Sequence, residues 1–438
     1  MAEHYLLLRN ITIFFATIML VKYYLFLLLA PFHAVKEALR QERLAGKRLE
    51  NGLRRPYRPM VSVVIPAWNE EVGLLRTVRS VLNSTYQNLE IIVVNDGSTD
   101  RSHEMFERFM KSAEWHNLHP TAQLHYVYKE NGGKGTALNR GIVASKGEIV
   151  VTVDADSVLH RKAIARLVPY FEDEKIDVAV GNVKVGRNHS VMGFIQNLEY
   201  LFGFYFKRAH SVMNAEYIFG GACAAFRKKK VFEQLGLFDE ANKTEDIEMS
   251  LRTRYNGLHS VYAEDVICYT EGASTVMGLL NQRLRWKKGR FDTFVRYRRM
   301  FFSLDKRHNR ALSWFILPFC LLSESQLLFE PVGLTLLLSY SIISGDYLSL
   351  SLGILFIFAT YLVIALFDHE KINLGILFLF PFTWPLFYFL VWVEWLALIK
   401  SILMTVRGDE IEWQSWSRTG IDTDAEPVPT HTHTLAHP

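Results

Sequence analysis

Cysteine is scarce in this chain: Cys223, Cys268 and Cys320 are scattered and odd in number among 438 residues. No zinc-ligand spacing and no disulfide framework can be drawn from them, which fits a reducing, cytosolic face. An excess of one charge is lacking too. With 49 basic against 45 acidic residues the formal charge is +4, so nucleic-acid binding gains little support. There is no internal repeat. The single glycine-rich loop, Asn131-Gly132-Gly133-Lys134-Gly135, lacks the spacing and the Ser/Thr of a Walker loop.

Apolar residues are abundant, half of the chain, and unevenly spread. Residues 11–32 form a run long enough to span a bilayer with only Lys22 charged inside it. No small-residue cleavage site follows, so the run reads as an uncleaved anchor. Lys36, Arg40, Arg43, Lys47, Arg48, Arg54, Arg55 and Arg58 come after it and only Arg9 before it. By the positive-inside rule the following segment is cytoplasmic, and anionic lipid headgroups account for the basic cluster. Further spans are expected near Leu312–Ile343, Tyr347–Phe367 and Leu374–Val406, although the stretch Leu312–Glu330 can lie in the interface instead. One helix before and three after would leave the carboxyl terminus opposite the soluble part. Glu324, Glu330 and Glu394 inside these runs suit a polar path, helix packing or an interfacial position. The expected plan is an anchor over 1–33, a basic linker over 34–59, a cytosolic domain with interfacial helices over 60–302, membrane helices over 303–406, and a partly disordered tail over 407–438. The His-Thr-His-Thr run in that tail reads as solvated.

Between Val61 and Phe171 strands and helices alternate. Strands are expected at Val61–Pro66, Glu90–Asn95, Leu124–Lys129 and Glu148–Val153, with helices at Glu71–Asn83, Arg101–Ala113, Gly135–Ala144 and Arg161–Phe171. Such alternation predicts an α/β fold with a mostly parallel sheet and right-handed crossovers. Ligands gather at the carboxyl ends of such strands.

Three strands end there in polar side chains. The run Ile149-Val150-Val151-Thr152-Val153 stops at Asp154-Ala155-Asp156, and alternate positions of an extended chain point to one side. Two hard oxygen ligands there suit Mg²⁺ or Mn²⁺ beside a diphosphate, the bland alternative being a polar loop. The first strand runs into Pro66-Ala67-Trp68-Asn69-Glu70-Glu71; Asn69 can cap the next helix and the glutamates favour its positive end. Asp96 follows the second strand, where Thr99 or Asp100 can cap. The glycines before Lys134 let backbone amides approach an anion, and Lys134 adds a point charge. Phe219-Gly220-Gly221-Ala222-Cys223-Ala224-Ala225-Phe226 offers small residues between aromatics, either for close ligand approach or as a packed strand. Thr244-Glu245-Asp246 opens a helical stretch, where Thr244 or Asp246 can cap. On a helix, Gln282, Arg285 and Trp286 of Gln-Arg-Leu-Arg-Trp share one face, joining an amide, a phosphate-matching guanidinium and a flat indole. A basic interfacial helix with a boundary Trp is the alternative.

Asp96, the Asp154/Asp156 pair, Thr244-Glu245-Asp246 and Gln282-Arg283-x-Arg285-Trp286, taken in this order from Val61 to Arg290, resemble the processive, inverting, membrane-integrated family-two glycosyltransferases. These include chitin, hyaluronan, cellulose and poly-N-acetylglucosamine synthases. The Ala224-Ala225-Phe226-Arg227 segment is most similar to bacterial poly-N-acetylglucosamine and chito-oligosaccharide enzymes. The resemblance implies a GT-A type sheet with helices on both faces, joined to a transmembrane α-helical region. It implies a nucleotide-sugar site of Ala67, Glu70, Asp96, Lys134, Asp154 and Arg285, with Glu70 and Asp96 at the nucleoside and Arg285 steadying the leaving diphosphate. Asp156 would hold Mg²⁺ or Mn²⁺, Asp246 would be the general base, and Gln282 and Trp286 would meet the acceptor sugar. The implied partners are a UDP-sugar, expected to be UDP-N-acetylglucosamine, a growing β-glycan, membrane lipids and an export or regulatory partner. Trp413, Trp416 and Arg418 resemble a tryptophan-rich segment that belongs beside the cytosolic site, at odds with the helix count above. The alternatives are a non-processive transferase acting on a polyprenyl phosphate, diacylglycerol or ceramide, and a transport or export partner with a vestigial soluble domain.

Overall fold

The structure is a computed structural model that describes residues 10, 14, 17, 21, 23–50, 57–186, 191–345, 347–366, 380–409 and 420–421. Strands β1 (Val61–Ala67), β2 (Leu89–Asp96), β3 (Gln123–Lys129) and β4 (Ile149–Thr152) pair in parallel in the order β3-β2-β1-β4. Their register sets Ala67 beside Asn95 and Asp96 beside Lys129, so the carboxyl ends share one edge. Strands β5 (Ser157–Leu159), β6 (Val178–Val185), β7 (Ala224–Arg227) and β8 (Ser260–Thr270) extend the sheet as β4-β7-β6-β8-β5. Within this half only β6 and β8 run parallel. The sheet is thus mixed, mostly parallel on its amino-terminal side.

β-branched runs buried on both faces explain the parallel half. Every residue of β1, β2 and β4 is buried. On one face Val61, Val63, Ile65, Ile149 and Val151 pack with Leu74 and Val78 of helix α1 (Leu74–Leu82) and Phe106 of helix α2 (Ser102–Lys111). On the other, Val64 and Val150 meet Leu138 and Ile142 of helix α3 (Lys134–Ala144) and Met249 of helix α4 (Glu245–Tyr255). Asn69 does not cap α1, which starts after Gly73. Its Oδ1 accepts from the Thr99 and Asp100 amides at 2.8 and 3.4 Å, locking the loops after β1 and β2 together. Asp100 accepts the Ser102 amide at 2.9 Å, although the residue at the cap position of α2 is Arg101.

A helix over Phe32–Glu50 precedes the domain. Its Arg43 and Arg48 pair with Asp173 and Glu172, and Lys36 donates to the Ser211 carbonyl. Those three charges clamp the helix to the domain and are not left to headgroups. Most of the expected first span lies outside the described residues, but Phe26 and Ala30 near its end are buried against Tyr205 and Phe206 of the long helix α5 (Val191–Val212) and Ile364.

After β8 come helices α6 (Val276–Arg296), which closes the domain, and then α7 (Leu317–Leu327), α8 (Glu330–Ser344), α9 (Leu348–Leu366) and α10 (Phe380–Arg407). Among the described residues one helix, Trp384–Arg407, is by itself long and apolar enough to cross a membrane. The expected span Leu312–Ile343 is broken by a 51° bend between Leu327 and Glu330, and Leu312, Ile316 and Leu317 are buried in a core shared with Phe294 of the domain. Its first leg therefore rests on the domain. Leu336, Ile342, Leu352 and Leu355 are exposed on α8 and α9, an apolar surface suited to lipid. Beyond α10, Gly420 donates its amide to Glu271 at 3.2 Å and Arg76 donates to the Ile421 carbonyl at 2.5 Å. Ile421 is buried on the domain. Gly420 and Ile421 are thus seated on the domain. Trp413, Trp416, Arg418 and the tail from residue 422 lie outside the described residues.

Candidate active site

The carboxyl-terminal edge of the parallel strands gathers most of the expected polar side chains. Lys134, first residue of α3, reaches Asp154 Oδ1 at 2.7 Å and Glu245 Oε1 at 3.3 Å. Burial works against the charged Lys134 ammonium, but the Asp154, Glu245 and Asp246 carboxylates outweigh it and raise its pKa. Burial raises the Glu245 carboxyl, with Lys134 and, more weakly, Arg285 opposing and Asp246 reinforcing the shift. Arg285 is thus close enough to act on the acidic cluster. Gly221 makes the Lys134–Asp154 contact possible: a Cβ there would stand 2.7 Å from Lys134 Nζ and 3.2 Å from Asp154 Oδ2.

Glu245 and Asp246, opening α4, line a recess with Gly220, Gly221 and Thr152. The Ile247 amide donates to Asp246 Oδ1 at 2.9 Å, fixing that carboxylate at the positive end of the helix. Asp156 accepts from the Ser157 hydroxyl at 3.2 Å, tying it to the turn after β4. Glu70 is buried next to the same turn; the position of a Cβ at Gly73 would be 3.6 Å from Glu70 Oε2 and 3.3 Å from Asp156 Cα. Ala67 ends β1, fully buried.

Asp96 has a different setting. Its carboxylate accepts the Gly132 and Gly133 amides at 3.0 and 2.7 Å and pairs with Lys129. Asp96 therefore builds the glycine loop that delivers Lys134 to the cluster. The loop amides answer a carboxylate of the chain itself.

Gln282, Arg285 and Trp286 lie on α6, as their spacing suggested, with Gln282 buried. Trp286 has the Arg283 guanidinium 4.3 Å from its ring centre. Two contributors had no role of their own in the expectations from sequence. Gly289 lets α6 press on the start of α4, since a Cβ there would fall 2.0 Å from Thr244 Oγ1. It stands four residues after Arg285, and that spacing of a small residue along the Gln-Arg-x-Arg-Trp face was the available signal. Glu245 was visible only as part of its tripeptide; its pairing with Lys134 depends on two elements a hundred residues apart.

Among the described residues no group of three or more His, Cys, Asp or Glu could enclose a metal ion unaided. Asp154 and Asp156 fit an ion that takes one or two carboxylates and completes its shell with substrate phosphates.

Sheet and helix placement define an α/β domain of the GT-A type. Residues 62–235 match the model of glycosyl transferase family 2, and residues 149–406, more than half of the chain, that of glycosyl transferase family group 2. This chain belongs to the family-two glycosyltransferases. It is 28% identical over 239 residues to the poly-β-1,6-N-acetyl-D-glucosamine synthase of Staphylococcus aureus strain COL, a match covering 54% of this chain and 56% of that protein. The chain thus spans little more than half the length of that relative. The Staphylococcus epidermidis synthase of the same name is 29% identical over 385 residues, covering 82% and 88% of the two chains. In fold the chain is similar to a mannosyltransferase from Pyrobaculum calidifontis solved with GDP-Man and Mn²⁺, with a TM-score of 0.54, 21% identity and coverage of 89% and 99%.

Proposed function

We propose that this protein polymerises a UDP-sugar, UDP-N-acetylglucosamine, into a β-linked polysaccharide by metal-dependent inverting transfer at a cytosolic site, as a multi-pass protein of the plasma membrane whose product leaves through or beside its helices. The observation that carries this reading is the Lys134 bridge between Asp154 and Glu245. It draws the end of β4, the glycine loop and the Thr244-Glu245-Asp246 corner into one charged site. Similarity to the staphylococcal synthases supports N-acetylglucosamine as the sugar.

In this account Ala67, Glu70 and Asp96 flank the nucleoside, and Asp154 and Asp156 face ribose, metal and diphosphate. A divalent ion, Mg²⁺ or Mn²⁺, would neutralise the diphosphate when bound. Lys134 and Arg285 add positive charge where the leaving group gains negative charge. Asp246 takes the proton of the acceptor hydroxyl as that oxygen bonds to the anomeric carbon and the bond to diphosphate breaks. A single displacement of an α-linked donor leaves a β linkage, and the proton ends on Asp246. Gln282 and Trp286 hold the acceptor chain between additions.

Asp246→Asn keeps size and polarity but removes the base. Turnover should fall by about two to four orders of magnitude, with UDP affinity measured by calorimetry within about twofold of the parent. Turnover near the parental rate would remove Asp246 from this role.

A further inference from the structure

We propose that Glu394, on the long apolar helix α10, is a positioning residue for the acceptor platform, acting through the Arg283 guanidinium on the Trp286 indole. The inference rests on the reading of Trp286 as the acceptor surface.

Arg283, Lys287 and Arg290 recur on one face of α6 and meet three carboxylates from three other helices. Arg283 pairs with Glu199 of α5 and, through Nε at 2.9 Å, with Glu394 of α10. Lys287 reaches Glu394 Oε2 at 2.9 Å and Glu324 of α7 at 2.7 Å, and Arg290 reaches Glu324 at 3.0 Å. The Arg283 side chain is 2% exposed, although it is among the largest in the chain.

Burying so many charges does little for stability, because desolvation offsets their attraction. It does fix geometry. A guanidinium is planar, and a hydrogen bond to Glu199 on one side with the Glu394 carboxylate 2.9 Å from Nε on the other restricts its orientation. That plane lies 4.3 Å from the Trp286 ring centre, close enough for cation–π attraction to hold the indole. Glu394 therefore links the ring expected to meet the sugar chain to the helix most suited to crossing the membrane. A shift of α10 would be felt at Trp286 through one side chain.

The test uses the full-length protein in detergent with Glu394→Gln and Arg283→Lys, and Trp286→Phe as the reference that isolates the emission of Trp286. Both variants should fold: in the first Arg283 keeps Glu199 and Lys287 keeps Glu324, and in the second the charge survives while the flat group is lost. The expected result is a shifted Trp286 emission in both and roughly fivefold weaker binding of a β-linked N-acetylglucosamine pentamer, the scale of one cation–π contact. Affinity for UDP with Mg²⁺ should stay within about twofold, since the donor groups are untouched. Unchanged emission in both folded variants would overturn the proposal. So would a parallel loss of pentamer affinity, UDP affinity and melting temperature, which marks a merely structural role. If the parental protein binds no pentamer, the acceptor reading fails, and the emission shift alone then decides whether Glu394 sets the ring.

Discussion

Lys134 balances the charges of the site. It faces Asp154 and Glu245 directly, and their attraction keeps it charged despite burial. Replacing it with methionine should lower turnover by about two to three orders of magnitude, the usual cost of removing one preorganised electrostatic group; a smaller loss in a coupled UDP-release assay would place the phosphate-facing charge elsewhere. Glu245 gives a pH dependence. Burial raises its pKa, so as pH falls it is among the first carboxyls to gain a proton, and its hold on Lys134 then weakens. The parental rate should therefore decline on the acid side, and Glu245→Gln should flatten that limb in a profile from pH 5 to 9. Identical limbs would contradict the role. Asp154, Lys134 and Asp246 were legible in the sequence because strand ends and helix starts are where such groups gather. Asp96 was legible as a strand-end acid but not in its partners, since the glycine loop folds back from 36 and 37 residues further on.

Helix α6 and the start of helix α4 touch through Gly289 and Thr244, and this contact is expected to set how far Arg285 and Trp286 stand from Asp246. Gly289→Ala should push the two helices apart, lower the melting temperature in keeping with about 1–3 kcal/mol of overpacking, and reduce turnover more than UDP binding. Parental turnover in Gly289→Ala would show that the spacing is not critical. The parallel half of the sheet was readable because β1, β2 and β4 are apolar runs of strand length bounded by turn residues. The other half was less so. β5 has three residues and β7 four, too short for a periodic signal, and β8 carries Glu264 and Asp265 because Glu264 pairs with Arg208 inside the protein. Asn69 as a helix cap failed for a similar reason: a partner loop 30 residues away offered its amides first.

The whole molecule couples a catalytic domain to an apolar helical layer through buried charge. Glu324 and Glu394 bind Lys287, Arg283 and Arg290, which gives these two of the three carboxylates inside apolar runs a helix-packing role. Counting hydrophobic segments could not show that Leu312–Leu327 leans on the domain, because interfacial and spanning helices share composition. The docking of Gly420 and Ile421 onto Glu271 and Arg76 sets the expected sidedness. An epitope placed after Pro438 should be digested from the same face of sealed vesicles as the catalytic domain; protection of one while the other is cleaved would refute the arrangement. On the proposed function, one charged edge adds N-acetylglucosamine repeatedly to a glycan. Mass spectrometry of the product made by purified protein from UDP-N-acetylglucosamine and a divalent ion should show a ladder spaced by single N-acetylhexosamine units, absent with Asp246→Asn. A single sugar on a lipid, or no product from this donor alongside product from another, would contradict it.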